Sequence, residues 1–222
     1  MKTILISGGS DGLGRTIARR LSPNNKVIII SPHEEKLRKA AEEIGCEYKV
    51  CDVSDYGQVE KTVNEIGNLD CVINNAGKWL QGALEETDPE RIRQVLDVNT
   101  LGTIYLTKAV IPGMKQQKSG LIINIISQAG LYAKVGWPVY IASKWAITGF
   151  TKSMQQELEP FGIGVTGLYP STMNTHLFAE AGAPKDVSKE LDTDEVAKTI
   201  EFLLSLDRTT LFPEIGIRKL HI

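Results

Sequence analysis

The chain has 222 residues, of which 42% are hydrophobic and 23% charged, and its net charge is -2 at pH 7. This balance fits one soluble globular domain, and the lack of a basic block argues against a nucleic-acid partner. Three cysteines without a C-x-x-C pair predict buried thiols in a reducing compartment, with no disulfide framework and no metal site. Since no apolar run is long enough for a signal peptide or a membrane span, we expect a cytoplasmic protein without a membrane partner.

Short β-branched runs alternate along the whole chain with longer segments of helical periodicity. The predicted strands are Ile4–Ser7, Val27–Ile30, Tyr48–Val50, Cys71–Asn74, Leu121–Ile126 and Val165–Leu168. Runs such as LIINII are apolar without alternation, which is typical of strands buried on both faces of a parallel sheet. The pattern predicts a single α/β domain over residues 1–222, with a doubly wound parallel β-sheet and helices on both faces.

Three glycines follow the first predicted strand, with the spacing G-x-x-x-G-x-G at Gly8, Gly12 and Gly14. In the first βα turn of such a sheet, glycines allow a sharp turn, a close approach to a pyrophosphate and tight packing of the helix on the sheet. The N-terminus of the following helix would face the phosphates. Taken alone, the spacing fits an ordinary glycine-rich turn equally well.

A second segment, YIASK, places Tyr140 and Lys144 four residues apart on a predicted helix that begins near Pro138 and ends near Pro160. Apolar residues at three- and four-residue steps predict a packing stripe on this helix: Val139, Ala142, Ala146, Phe150, Met154 and Leu158. Tyr140 and Lys144 would lie on the adjoining face. Taken alone, a tyrosine and a lysine at this spacing more often lie on a solvent-exposed helix face than in a functional site. A cation beside a phenol, however, stabilises the phenolate and lowers a pKa that is ordinarily about 10.

Further motifs complete a resemblance to the classical short-chain dehydrogenases/reductases over roughly residues 2–205. The stretch SGGSDGLG resembles that family's T-G-x-x-x-G-x-G fingerprint, with Ser7 in place of the threonine. The segment NNAG at Asn74–Gly77 stands where the family has the same four residues. Asp52–Val53 resembles the pair that flanks the adenine ring. The resemblance implies a Rossmann-type fold.

The resemblance extends to a catalytic tetrad, for which Asn99, Ser127, Tyr140 and Lys144 are the matching positions, and Ser127 precedes Tyr140 by 13 residues. It implies hydride transfer between NAD(P) and a carbonyl or secondary alcohol, with Tyr140 as the general acid or base and Ser127 bound to the reacting oxygen. Lys144 would lower the phenol pKa and hold the nicotinamide ribose, and Asn99 would support a water behind it. The alternative is a non-catalytic NAD(P)-binding sensor or scaffold.

The resemblance also implies a set of residues in contact with the cofactor. They are Gly8, Ser10, Asp11, Gly12, Leu13, Gly14, Ser31, Asp52, Val53, Asn75, Ala76, Gly77, Tyr140, Lys144, Pro170, Thr172 and Thr175.

Two positions bear on the choice between NAD and NADP. Ser31 stands at the end of the second strand, where an acidic residue would select NAD. Asp11 stands in the glycine turn, where NADP-preferring relatives often carry a basic residue, and its carboxylate would oppose a phosphate. His33 and Lys36 could add positive charge. The effects of Ser31, His33 and Lys36, which favour a phosphate, and of Asp11, which opposes it, nearly cancel. We therefore expect both cofactors to bind, with a slight preference for NADP.

The predicted substrate loop covers about residues 171–191, in which Ser171 stands where the family often has glycine. We interpret His176, within this loop, as an ordinary loop residue. The predicted wall of the substrate pocket consists of Gln128–Leu131, Tyr132, Val135, Trp137, Tyr140 and the loop after Pro170. Because this wall is apolar and offers no arginine, we expect a neutral carbonyl or secondary alcohol as the small-molecule substrate.

Two long helical segments, residues 91–115 and 138–159, carry more apolar surface than one sheet face needs, and Gly149 permits close helix packing. In the resembling family these helices pair with their copies, so we expect a homodimer or homotetramer. The tail predicts a seventh strand over Leu211 to Leu220. Since Pro213 interrupts it, this strand should lie at an edge.

Overall fold

A computed structural model of the chain describes residues 1–182 and 184–220. Seven parallel strands form one sheet in the order β3-β2-β1-β4-β5-β6-β7. They are β1 Thr3–Ser7, β2 Lys26–Ser31, β3 Glu47–Val50, β4 Cys71–Asn74, β5 Gly120–Ile125, β6 Ile163–Pro170 and β7 Glu214–Ile217. The strand order reverses between β1 and β4, which opens a crevice at their carboxyl ends. The predicted doubly wound α/β fold is confirmed.

Helices cover both faces of the sheet. They are α1 Gly12–Leu21, α2 Glu34–Ile44, α3 Tyr56–Ile66, α4 Pro89–Leu96, α5 Gly102–Gln117, α6 Pro138–Leu158, α7 Leu177–Glu180 and α8 Thr193–Ser205. Side chains alternate along each strand, so Ile4 and Ile6 of β1 pack with α1, α2 and α8, while Leu5 packs with α3, α5 and α6. These two apolar layers hold the sheet between the helices.

The helix expected over residues 91–115 is divided in the structure. α4 ends at Leu96, a π-helical turn spans Asp97–Leu101, and α5 follows. A π turn changes the direction of successive side chains, and such turns are frequent at functional sites. Asn99 lies in this turn and is buried.

The buried face of α6 differs from the predicted stripe, because Ala142 and Ala146 are exposed. The face that packs inward instead carries Tyr140, Ser143, Lys144, Ile147, Thr148 and Thr151, together with Val139 and Leu158. Apolar periodicity was misleading here because the buried hydroxyls are hydrogen-bonded. Thr148, for example, donates to the carbonyl of Gly130 at 3.1 Å.

β7 lies at the sheet edge, as predicted, but it is shorter than expected and begins at Glu214. Pro213 precedes the strand instead of interrupting it. Its carbonyl accepts a hydrogen bond from the backbone of Gly167 at 2.9 Å, and its missing N–H is not needed by the ladder.

The three cysteines are free thiols; Cys51 and Cys71 are buried and Cys46 is half-buried. Among the residues that the structure describes, no helix is both long and apolar enough to cross a membrane. Within the same residues, no group of three or more His, Cys, Asp or Glu side chains is arranged to hold a metal ion.

Two glycine substitutions test the packing of the first turn. A Cβ at Gly14 would lie 2.2 Å from the carbonyl oxygen of Gly8, whereas a Cβ at Gly113 of α5 would have no neighbour within 4 Å. We expect Gly14→Ala to destabilise the protein by about 1–3 kcal/mol and Gly113→Ala to stabilise it by about 0.5–1 kcal/mol. Urea denaturation measures both. Equal effects of the two variants would contradict the packing described for Gly14.

Candidate active site

A cavity of about 780 Å³ lies at the carboxyl ends of the strands around the crevice between β1 and β4. This is the position at which doubly wound sheets bind ligands. The predicted site residues that line it are Gly8, Ser10, Asp11, Gly12, Leu13, Ser31, Asp52, Val53, Asn75, Ala76, Gly77, Ser127, Tyr140, Lys144, Pro170, Thr172 and Thr175. Gly14 and Asn99 do not line the cavity and act on it through their neighbours.

The glycine turn forms a cradle open to an anion. Gly8 and Gly12 have φ values of +66° and +49°, which residues that carry a side chain rarely adopt. α1 begins at Gly12, and the Asp11 carboxylate accepts its N–H at 2.7 Å. Gly14 packs directly on the backbone of Gly8. The first amides of α1 therefore face the cavity, an arrangement that suits a pyrophosphate.

Ser7 joins the glycine turn to the loop after β4. Its hydroxyl oxygen accepts the N–H groups of Asn75 and Ala76, both at 3.0 Å. In return, the side-chain amide of Asn75 donates to the carbonyl of Ser7 at 2.9 Å. The serine that replaces the family threonine keeps the hydroxyl on which this joint depends.

A buried polar chain lies below the cavity floor. The Asn74 amide donates to the side-chain oxygen of Asn124 at 2.8 Å and to Thr107 at 3.1 Å. The Asn124 amide then donates to Thr151 of α6 at 2.8 Å. This chain links β4, β5, α5 and α6 in the interior, where paired polar groups rigidify a structure. Its signal in the sequence is an asparagine inside each of two apolar strands.

Asn99 and Lys144 are held by backbone groups. The Asn99 oxygen accepts the N–H of Lys78 at 2.7 Å, and its amide donates to the carbonyl of Lys78 at 3.0 Å and to Ser143 at 3.1 Å. The Lys144 amine donates to the carbonyl of Ile125 at 3.1 Å. Both side chains are thereby fixed beside the loop after β4.

Ser127 follows β5 with a φ of +113°, a conformation that costs a non-glycine residue about 1–3 kcal/mol. Its hydroxyl oxygen accepts the N–H of Ala129 at 3.2 Å, and Ser127 lines the cavity together with Tyr140. The surrounding structure therefore holds two hydroxyl groups together at the cavity, in a strained geometry typical of functional sites.

The surroundings of Tyr140 raise the pKa of its phenol. Burial raises the pKa of Tyr140 to about 12, although the hydrogen bond with Ser127 opposes this shift. Burial also lowers the pKa of Lys144 to about 8. In this structure burial, and not Lys144, dominates the pKa of Tyr140, because both groups are removed from water and the amine lies 5.7 Å from the ring centroid. The expected effect of Lys144 on the phenol stays a prediction.

At the other end of the predicted cofactor site, Asp11 has cationic neighbours. Its carboxylate lies 2.7 Å from the Lys36 amine and 3.6 Å from Nδ1 of His176. Burial opposes the charged form, but hydrogen bonds from Lys36 and Gly12 outweigh it and keep the pKa of Asp11 below its ordinary value. Ser31 lies nearby, and its hydroxyl accepts from Ser10 at 3.2 Å. The expected repulsion of a phosphate by Asp11 is therefore offset locally.

The predicted substrate wall is only partly correct. Trp137 and Tyr140 line the cavity, but residues 128–132 and Val135 do not. The short turn at Gln128–Gly130 packs against α6, and Val135 is 98% exposed. The predicted loop after Pro170 does contribute, through Leu177, Phe178 and Ala181, and the unpredicted part of the wall consists of Trp79, Leu80 and Val95.

The expectation that no arginine reaches the pocket is also wrong. Arg91 of α4 lines the cavity, and its guanidinium donates to the carbonyl of Ala181 at 3.3 Å. The Nη2 group of Arg91 is therefore already hydrogen-bonded to the backbone carbonyl of Ala181. The finding therefore adds a cation to the wall and connects α4 to the end of α7.

Four rings form what we call the aromatic cluster, in which Trp79, Trp137 and Phe178 lie around the phenol of Tyr140. The ring centroid of Trp79 lies 4.1 Å from Trp137, 4.4 Å from Tyr140 and 4.7 Å from Phe178. Trp79 is thus the centre of the cluster. Sequence reasoning missed it, although its position two residues after NNAG, at the carboxyl end of β4, was an available signal.

A glycine turn at a strand-order reversal, with a tyrosine, serine and lysine beside it, defines a class of dinucleotide-binding oxidoreductases. The family described as short chain dehydrogenase matches residues 2–186, and the chain belongs to this family.

Relatives and solved structures agree with this assignment. The chain is 33% identical to the 3-dehydrosphinganine reductase of Danio rerio over 88% of its own length and 62% of that protein, so it spans less than two thirds of that relative. It is 34% identical to carbonyl reductase family member 4 of Xenopus tropicalis over 91% of each chain. The alcohol dehydrogenase of Thermococcus sibiricus complexed with 5-hydroxy-NADP has a TM-score of 0.88 at 28% identity, over 98% of this chain and 96% of that one.

The buried lysine predicts a pH-dependent stability. The pKa of Lys144 is about 8 in the folded protein and 10.5 unperturbed, so the unfolded state binds more protons between these values. The contribution of Lys144 to stability therefore rises from about pH 8 to about pH 10.5. We expect the stability difference between the wild-type protein and Lys144→Met to change by about 1–3 kcal/mol in favour of the wild type over this range.

Urea denaturation at several pH values measures this change. The matched control is Lys189→Met, because Lys189 is exposed and its amine stays in water in both states. A pH-independent difference for Lys144→Met would show that its ammonium is not desolvated.

Proposed function

We propose that the protein is an NAD(P)-dependent oxidoreductase that acts on a carbonyl or secondary alcohol. The observation that carries this proposal is that Tyr140 and Ser127 line the same cavity as the glycine cradle, with the Lys144 amine adjacent. A pure binding protein has no need of paired hydroxyls in strained geometry beside a buried amine. We also propose that residues 1–222 act as one domain, with residues 171–191 as the substrate loop.

Each polar side chain has a distinct proposed role. Bound NAD(P) supplies or accepts the hydride. Tyr140 donates a proton to the carbonyl oxygen in reduction and accepts one from the alcohol in oxidation. Ser127 donates a hydrogen bond to the same oxygen as charge develops on it. With a pKa of about 12, the phenol is protonated at neutral pH, which is the form that reduction requires.

Lys144 and Asn99 support this chemistry. The amine of Lys144 binds the ribose hydroxyls, for which its donors are suited. Asn99 fixes the backbone of Lys78 beside the nicotinamide site and assists a water in relaying protons. With a pKa of about 8, the amine is mostly protonated at neutral pH, and a closer approach of this cation to the phenol would lower the pKa of Tyr140.

The cradle residues fit a dinucleotide. The glycine turn and the first amides of α1 bind the pyrophosphate, Asp52 and Val53 flank the adenine, and Thr172 and Thr175 contact the nicotinamide end. The bound 5-hydroxy-NADP of the Thermococcus sibiricus enzyme supports this assignment. The offset of Asp11 by Lys36 favours a modest preference for NADP over NAD.

The substrate we propose is a small neutral ketone or its alcohol, because the wall next to Tyr140 is largely aromatic and aliphatic. The names of the two relatives, a 3-dehydrosphinganine reductase and a carbonyl reductase, are consistent with ketone reduction. The three free cysteines support a cytoplasmic location.

We further propose a homodimer or homotetramer. The face of α6 opposite the sheet exposes apolar side chains, among them Ala142, Ala146 and Trp145, and Trp145 is 51% exposed. Nothing lies within 4 Å of the Cβ position of Gly149 on the same helix. A second copy packed on this face would bury that surface with closed symmetry.

Removing the phenol hydroxyl tests the proposed chemistry. We expect Tyr140→Phe to lower kcat/KM for carbonyl reduction by about 10²–10⁴-fold, because the general acid is lost, while the Kd of the cofactor changes by less than about twofold. Lys144→Met should impair both turnover and cofactor binding. Absorbance of the reduced cofactor with a panel of aldehydes and ketones measures turnover.

The matched control is Tyr132→Phe, since Tyr132 is 66% exposed and lies outside the cavity lining, and it should leave turnover unchanged. Tight cofactor binding by the wild type without turnover of any carbonyl would favour a sensor or scaffold.

A charge change tests cofactor preference. Asp11→Asn keeps an acceptor for the Gly12 amide but removes one negative charge beside the proposed phosphate site. We expect the Kd for NADP to fall by about 3- to 10-fold and the Kd for NAD to change by less than about twofold. Fluorescence titrations at fixed ionic strength measure both constants. Asp186→Asn, outside the cavity lining, controls for net charge, and equal shifts for the two cofactors would contradict the role of Asp11.

A further inference from the structure

The indole of Trp79 has a polar group that the protein does not satisfy. Its Nε1–H is buried and has no hydrogen-bond partner among the residues that the structure describes. Trp79 as a whole is only 5% exposed. The neighbouring rings of Trp137 and Phe178 offer no strong acceptor. A buried N–H without an acceptor destabilises the protein, so such a group is retained where something outside the chain binds it.

The indole ring of Trp79 lies next to the proposed reaction site. Trp79 lines the cavity, and its ring centroid lies 4.4 Å from that of Tyr140. In the proposed chemistry, the reacting oxygen of the substrate already has two partners, the hydroxyl groups of Tyr140 and Ser127. A hydrogen bond from Trp79 would therefore go to a different atom of the substrate, close to the reacting carbon.

We propose that Trp79 is a specificity-determining residue whose indole N–H binds a second oxygen acceptor of the substrate. This inference rests on the proposed oxidoreductase function and names the substrate class as ketones with an ether, ester, hydroxyl or second carbonyl oxygen near the reacting carbonyl. The substrate reaches the indole by displacing the ring of Phe178, which belongs to the four-residue helix α7. A plain alkyl ketone leaves the N–H without a partner in the desolvated site and is therefore a poorer substrate.

Matched ketones and variants test this proposal. Methyl propyl ketone and methoxyacetone have the same shape, except that an ether oxygen replaces one CH₂ group, and α-tetralone with its ether isostere chromanone forms a larger pair. Trp79→Phe keeps an aromatic ring and removes the N–H. We expect this variant to lower the kcat/KM of the ether relative to its plain partner by about 5- to 10-fold, compared with the same ratio for the wild type. Comparing ratios cancels the intrinsic reactivities of the ketones.

The control variant is Trp137→Phe, which makes the same change in the half-buried ring beside Trp79 and should leave the ratio unchanged. A second readout needs no turnover: calorimetry gives the Kd of each ketone for the complex with oxidised NADP, and the Kd ratio should shift in the same direction. An unchanged ratio for Trp79→Phe in both readouts would overturn the role of Trp79, as would failure of the wild type to bind any of these ketones. Absence of turnover with preserved, N–H-dependent binding would instead reject the oxidoreductase function alone.

Discussion

The site depends on one short-range link, the contact between the turn after β1 and the loop after β4. A parallel sheet whose strand order reverses leaves a crevice at this point, and the two chain segments on its sides share no ladder beyond the strand ends. The hydroxyl of Ser7 and the amide of Asn75 join them with three hydrogen bonds of 2.9–3.0 Å. Because the loop after β4 also positions Lys78 and Trp79, this link sets the floor of the cavity and the place of its aromatic wall.

Burial gives the site its electrostatic character. Tyr140 and Lys144 project from adjacent turns of α6 into a region with little water, and each therefore favours its neutral form. The interior accepts them because backbone carbonyls and hydroxyls provide partners, as Ile125 does for the amine. With a pKa of about 12, the phenol is neutral at pH 7. The amine, with a pKa of about 8, is mostly protonated there and titrates close to physiological pH, so a bound ligand that changes the local charge shifts its protonation. The protonation state of the working enzyme is in this sense a joint property of protein and cofactor.

Much of the fold and of the cavity lining could be predicted because both have local signals. The continuous apolar run around Ile123 predicts a buried strand, and the glycines of the first turn predict a tight βα turn. Both predictions need only neighbouring residues of the chain. The errors lie where distant segments decide. Ala142 and Ala146 have the apolar spacing of a buried face, but partners on other elements buried the hydroxyl-bearing face of α6 instead. Val135 was placed in the substrate wall by its proximity to Tyr140 along the chain, whereas the structure exposes it.

The aromatic cluster is a further feature that depends on segments distant along the chain, and it lies at the proposed substrate site. Its members come from four separate segments: the loop after β4, the turn before α6, α6 itself and α7. No sequence window contains them together, so their meeting at Tyr140 follows only from the fold. Tyr140 and Lys144 sit on the long helix α6, whereas Trp79 lies in the loop after β4 and Phe178 in the short helix α7 of the substrate loop, where change is tolerated. Residues that select the substrate can therefore differ while the proton-transfer geometry remains. In this chain the indole N–H of Trp79, which has no partner among the described residues, is where we propose that this selection takes place.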